Sequence, residues 1–165
     1  VADFRCSEYS FELLSQVSGR AGRGEKKGNV IIQTYNPEHY AIQMASRHEY
    51  ELFYQTDMMF RHKLNYPPFS YMSSITVLCE KADQACILAD KIFDVLKENK
   101  DFELLGPSLP YLYKENNKIR MKILIKSKKR DLIIQTLNQI NNSFAKEAKE
   151  RKCIIQFDID TYQLL

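Results

Sequence analysis

The chain has 165 residues, is 44% apolar and 27% charged, and holds only five glycines and five prolines. That composition excludes a low-complexity or disordered polymer and leaves room for one ordinary core, or for a small domain beside a piece of another. The net charge of +3 is unevenly placed, because residues 1–66 carry 8 basic against 8 acidic side chains and residues 67–165 carry 16 against 13. The longest apolar runs are a few residues, so no membrane span is expected. The opening VADFRCSEYS is neither a signal peptide nor a natural start, and the chain reads as a fragment. Cys6, Cys79, Cys86 and Cys153 are scattered without a C-x-x-C, which fits buried thiols in a reducing cytoplasm and no metal site.

In chain order, Ser7 is placed to cap a helix whose apolar positions Phe11, Leu14 and Val17 recur every third residue, with Glu8 in the first turn. This helix runs into Gly19. The β-branched stretch NVIIQTY at 29–35 predicts a buried strand. Asn36 and Pro37 then read as a helix start, and the helical pattern that follows is expected to break near Ser46. NYPPFS at 65–70 ends it, since paired prolines stop a helix, and a domain boundary is expected there. Beyond the prolines the pattern predicts strand 70–79, helix 83–98, strand 103–113, strand 118–127, helix 130–148 and strand 152–161. One helix stripe holds Ala85, Leu88, Ala89, Ile92 and Leu96, and the other Ile133, Leu137, Ile140, Phe144 and Ala148. In 118–126, Ile119, Met121, Ile123 and Ile125 face one way, with Lys118, Arg120, Lys122 and Lys126 opposite. Two helices on the apolar side give a ferredoxin-like α+β layer (βαββαβ) with one sheet face left open and basic.

QVSGRAGRG at 16–24 carries the clearest chemistry. Glycines permit close backbone approach, and Arg20 and Arg23 lie three apart at a helix end, where two guanidiniums can reach one polyanion. A Gly-rich turn with solvent-facing arginines is the plainer alternative. The string resembles motif VI of superfamily 2 helicases, and IIQTYNPEHYAI at 31–42, YPPFS at 66–70 and FDID at 157–160 extend the resemblance to the bacterial primosomal replication-restart helicases, the primosomal protein N′ family.

That resemblance implies the end of a RecA-like lobe 2 over 1–36, a helical connector over 37–66, and a DNA-binding or docking domain over 67–165. The last of these is similar in that family to a ribosomal small-subunit protein and helps to bind branched DNA. It implies Arg20 and Arg23 as an arginine finger, Gln16, Gly19, Arg20 and Arg23 as nucleotide contacts, and an ATP-dependent helicase moving 3′ to 5′ that assembles a primosome at stalled or branched forks. ATP with Mg²⁺ would be gripped mainly by a lobe absent from this sequence, which has no G-x-x-x-x-G-K-[ST] and no acidic Walker B run. The family's zinc-binding cysteine cluster is absent too, so this piece should be inactive alone and hold no zinc. A cytoplasmic, nucleoid-associated monomer is expected.

Lys118, Arg120, Lys122 and Lys126 are candidate phosphate contacts, although basic faces are often only solvated and Asp158 and Asp160 offset part of the field. Lys128, Lys129 and Arg130, at a helix N-terminus, are candidates for docking an acidic peptide; the resemblance points to the tail of single-stranded DNA-binding protein. Tyr71, Tyr111 and Tyr113 offer weak support for base stacking, with core packing as their default. His39, His48 and His62 lack partners at useful spacing. A non-enzymatic nucleic-acid-binding module, or a protein-docking module, is the rival to the helicase reading.

Overall fold

The computed structural model describes residues 3–20, 29–110, 114–115, 117–162 and 164. Contacts group them into two units, residues 3–64 and residues 65–165, dividing just ahead of the proline pair.

The first unit holds three helices, α1 (Cys6–Ser18), α2 (Tyr40–Ser46) and α3 (Tyr50–Lys63). The segments expected as 1–36 and 37–66 share one core, in which Phe11 of α1 stacks on Phe53 of α3 with ring centroids 4.1 Å apart. Ala41 and Ala45 of α2 are buried in the same cluster, with Leu14, Tyr40 and Met44 against it. The α1 start differs from expectation: Ser7 lies inside the first turn, and the Asp3 carboxylate accepts the Arg5 N–H at 2.8 Å just ahead of the helix. His39, rather than Asn36, caps α2, its Nδ1 accepting from the Ala41 N–H at 3.2 Å. The helical pattern does break at Ser46, where His48 turns with φ 57° before α3 resumes.

The strand expected at 29–35 is not formed. Residues 29–34 have no regular structure, and Ile31 and Tyr35 are 94% and 109% exposed. A buried strand needs neighbouring strands to take its backbone groups, and this unit has no sheet among its described residues.

The second unit runs β1 (Tyr71–Cys79), α4 (Ala82–Lys97), β2 (Glu103–Ser108), β3 (Lys114–Glu115), β4 (Lys118–Ser127), α5 (Arg130–Glu150) and β5 (Ile154–Ile159). The sheet order is β2-β4-β1-β5, with β3 paired to β4 and every pairing antiparallel. Helix α4 thus carries the chain from β1 to β2 across β4, and α5 carries it from β4 to β5 across β1. Both helices bury the expected stripes: Ala85, Leu88, Ala89, Ile92 and Leu96 are fully buried, and Ile133, Leu137 and Ile140 nearly so. They lie against Ile75, Val77, Met121, Ile123 and Ile125 on the inner sheet face. Burying each of these leucine, isoleucine, valine and methionine side chains contributes about 1.5–3 kcal/mol, so this layer is the main source of the unit's stability.

The strand expected over 103–113 ends at Ser108, because its register with β4 shifts between Leu105 and Ser108. Gly106 sits in the shift at φ +99°, where an added Cβ would stand 2.6 Å from the Lys122 carbonyl oxygen. Only glycine fits there. Pro107, which cannot donate to a ladder, follows on this edge strand.

The sheet face opposite the helices is not open, contrary to expectation. Met72, Leu124, Lys122 and Lys126 on that face are 1%, 0%, 4% and 4% exposed. Two neighbouring stretches reach over it. Lys126 Nζ lies 4.8 Å from the Tyr66 ring centroid, while Lys122 Nζ donates to the Leu164 carbonyl at 3.0 Å and the Thr161 N–H to the Met72 carbonyl at 2.9 Å. Among the described residues no helix is long and apolar enough to cross a membrane.

Candidate nucleic-acid interface

Helix α1 brings Gln16, Gly19 and Arg20 to its C-terminal end, all exposed, at the i, i+3, i+4 spacing of one helix face. Gly19 caps the helix in the ordinary right-handed conformation, φ −68° and ψ −12°, and the Arg20 N–H donates to the Val17 carbonyl at 3.2 Å. Arg20 has no ion-pair partner among the described residues, so its guanidinium is available to an anion. Gly22 and Arg23 lie outside the described residues, as do Tyr111 and Tyr113.

The position of α1 depends on a polar network that the sequence did not reveal. Asp57, 4% exposed, accepts the Tyr40 hydroxyl at 2.8 Å and pairs with Arg61 Nε at 2.7 Å. Arg61 reaches on to Glu8 of α1 at 2.8 Å, with Phe4 5.1 Å below the guanidinium. Burial, with Asp57 beside it, pushes the Tyr40 phenol up to about 12. The i, i+4 pair Asp57 and Arg61 was visible in the sequence, but its burial was not.

On the sheet, the four candidate lysine and arginine positions separate. Lys118 and Arg120 are half-buried near the start of β4, whereas Lys122 and Lys126 are enclosed. Lys126 pairs with Glu103 at 2.6 Å, so its charge is already met. Desolvation lowers the Lys122 ammonium below the ordinary lysine value, against the pull of Asp158 and with help from the nearby Arg120. The residue that should have signalled enclosure is Leu124, an apolar position on the otherwise basic side of the strand.

The docking cluster is also partly neutralised. Lys129 pairs with Asp101 at 2.8 Å, and Arg130 donates twice to one Asp160 oxygen, at 2.8 and 3.3 Å. Lys128 is exposed with no ion pair among the described residues. Beside it a cavity of about 360 Å³ is lined by Ser70, Asp101, Glu103, Lys126, Lys128 and Lys129. Tyr71 is 45% exposed at the start of β1. Cys79 and Cys153 are buried side by side, each bonded to the Arg151 carbonyl, and burial pushes Cys153 up to about 12. Among the described residues no group of three or more His, Cys, Asp or Glu is placed to hold a metal ion.

The layered α+β unit concentrates cations on one strand and its following turn, and helix α1 of the other unit runs into glycine and arginine; each feature by itself suits a polyanion. The chain belongs to the primosomal protein N C-terminal domain family, whose model matches residues 62–162. It is similar to three curated proteins each named replication restart protein PriA. The protein of Bacillus subtilis (strain 168) is 40% identical over 167 residues, covering 100% of this chain and 21% of that protein. That of Borreliella burgdorferi is 34% identical over 164 residues, covering 98% of this chain and 24% of the relative. That of Synechocystis sp. is 38% identical over 132 residues, covering 76% of this chain and 15% of the relative. The chain therefore spans about a fifth of the length of the first two.

Proposed function

We propose that this chain is part of an ATP-dependent DNA helicase that recognises stalled or branched forks and restarts replication by primosome assembly, moving 3′ to 5′. The observation that carries the reading is the shared name of the relatives, replication restart protein, across lineages as distant as Bacillus and Borreliella. The sheet order β2-β4-β1-β5 across two split βαβ crossovers supports a ferredoxin-like domain. The exposed 29–35 stretch suits a strand of a RecA-like lobe whose sheet partners are not in this sequence.

In this reading ATP with Mg²⁺, held mainly by groups outside this chain, brings the transferring phosphoryl group. The exposed, unpaired Arg20 and the exposed Gln16 fit such a ligand. Arg20 and Arg23 neutralise the charge that builds on that group, and Gln16 orients the nucleotide or its water. Fixed cations do this without reorganising, so each contributes where the charge develops. Zinc would belong to cysteines elsewhere in the intact protein, and no step here runs through it. Lys118 and Arg120 meet DNA phosphates, and Lys128 meets an acidic peptide such as the tail of single-stranded DNA-binding protein. The intact protein works as a monomer in the cytoplasm, at the nucleoid.

The test is Arg23→Ala or Arg20→Ala in the intact protein. DNA-stimulated ATP hydrolysis should fall by roughly 10³-fold with DNA affinity nearly unchanged. Undiminished turnover would remove the finger.

A further inference from the structure

Cys79 closes β1, and Cys153 stands immediately ahead of β5. These strands pair antiparallel without a shift, Val77 opposite Ile155 and Leu78 opposite Ile154, so the next pair in that register is Cys79 and Cys153. Both cysteines alternate in phase with Val77 and Ile155, which turns them to the helix-covered face, and both belong to its core. Opposed residues of antiparallel strands have Cα atoms about 4.5 or 5.5 Å apart, inside the roughly 4.4–6.8 Å that a disulfide spans. Register thus holds the two backbones at bridging distance.

The side chains meet as well. Cys79 Sγ lies 3.6 Å and Cys153 Sγ 3.7 Å from the Arg151 carbonyl oxygen, and Cys79 Sγ is also 3.6 Å from that of Lys152. Two thiols drawn to one oxygen at the end of a strand pair are neighbours. Burial sets a threshold on their chemistry. The residues are 2% and 7% exposed, and burial, with Cys79 beside it, pushes the Cys153 thiol up to about 12. Because the thiolate is the reactive form, the pair is inert to casual oxidation and yields only to a small, neutral oxidant or to a brief opening of the strand end.

We propose that Cys79 and Cys153 are a latent disulfide, which a hydroperoxide closes to staple β5 to β1. In the first step one cysteine sulfur takes an oxygen from hydrogen peroxide: the O–O bond breaks, a sulfenic acid forms and a water leaves with the thiol proton. The second cysteine sulfur then attacks the sulfenic sulfur. The S–S bond forms, the S–O bond breaks, and a second water carries off the remaining proton, so two thiols are oxidised as one peroxide is reduced. A dithiol reverses the bond. The consequence is local. β5 is the last strand of the sheet, and among the described residues β1 is its single strand neighbour. Beyond its far end the chain is already tied down, the Thr161 N–H to the Met72 carbonyl and the Leu164 carbonyl to Lys122 Nζ, so the staple fixes the end that those bonds leave free.

The experiment treats the 165-residue chain with hydrogen peroxide, blocks remaining thiols with iodoacetamide and maps the digested protein by mass spectrometry. A peptide joining Cys79 to Cys153 should appear and should vanish with dithiothreitol. The joined chain should melt roughly 10 °C higher, since the bond restricts the unfolded chain, and dithiothreitol should restore the starting Tm. Cys153→Ser should show neither the peptide nor the rise. If that variant does not fold, the peptide map and its reversal on the unaltered chain decide the matter. Cys86, partly buried on α4, is the internal control. Sulfinic acid at Cys79 or Cys153 without the joined peptide, a bond to Cys86 or between two chains in its place, or an unchanged Tm in the joined protein would overturn the proposal. Oxidation of Cys86 that leaves Cys79 and Cys153 as thiols would overturn it too.

Discussion

Replacing Asp57 by alanine is expected to loosen the helical unit that presents Gln16 and Arg20. Its carboxylate is 4% exposed and answers both the Tyr40 hydroxyl and Arg61 Nε, so Asp57→Ala removes one hydrogen bond and one ion pair at once. The Arg61 side chain, 10% exposed, would retain Glu8 as its carboxylate partner. Breaking a buried pair costs about 3–5 kcal/mol when the surviving charge is stranded, and the remaining Glu8 contact places this case near 3 kcal/mol. In a unit of this size each kcal/mol lowers Tm by roughly 4–8 °C, giving a loss of about 12–24 °C in the helical transition. Far-UV circular dichroism during urea unfolding is the assay, with Asp57→Ala/Arg61→Met as the partner variant. Because an apolar replacement of both charges is often neutral, the double variant should regain at least half of the loss. A single variant within about 0.5 kcal/mol of wild type, or a double variant less stable than the single, would refute the argument.

The same network makes the helical unit alkali-sensitive. Burial pushes the folded Tyr40 phenol up to about 12 from the ordinary tyrosine value of 10, so its contribution is complete below pH 10, declines between 10 and 12, and is gone above. Because the ring is only half-buried, solvent screening reduces the effect to about 1 kcal/mol, and Tyr40→Phe should abolish that pH dependence in urea midpoints. Gly106→Ala should cost about 2 kcal/mol or more, since the left-handed backbone and the Lys122 carbonyl both oppose a Cβ; an unchanged midpoint would contradict the geometry at the β2 register shift. An acidic tail peptide should lose calorimetric binding to the Lys128→Glu variant more than to Lys129→Glu, because Lys129 is already engaged by Asp101; equal losses would argue against the pairing.

How much of this was readable from the chain follows from what each signal depends on. The α4 and α5 stripes and the inner face of β4 were legible, since 3.6- and 2-residue periods report burial directly. The division near residue 65 was legible because two prolines act locally. The 29–35 strand failed because β-branched residues signal a strand only where partner strands exist. The outer face was misjudged because alternation tells which way a side chain points, not what lies above it, and the Tyr66 and 161–164 stretches are set by tertiary placement. Arg20 and Gln16 were singled out through their motif alone.

The most direct measurement is the salt dependence of forked-DNA binding by this chain, with Lys118 and Arg120, the half-buried cations of β4, changed to glutamine. If the outer sheet face meets phosphates, affinity falls and the slope of log K against log salt flattens by about one to two units. Affinity and slope identical to wild type would mean that DNA does not touch this face.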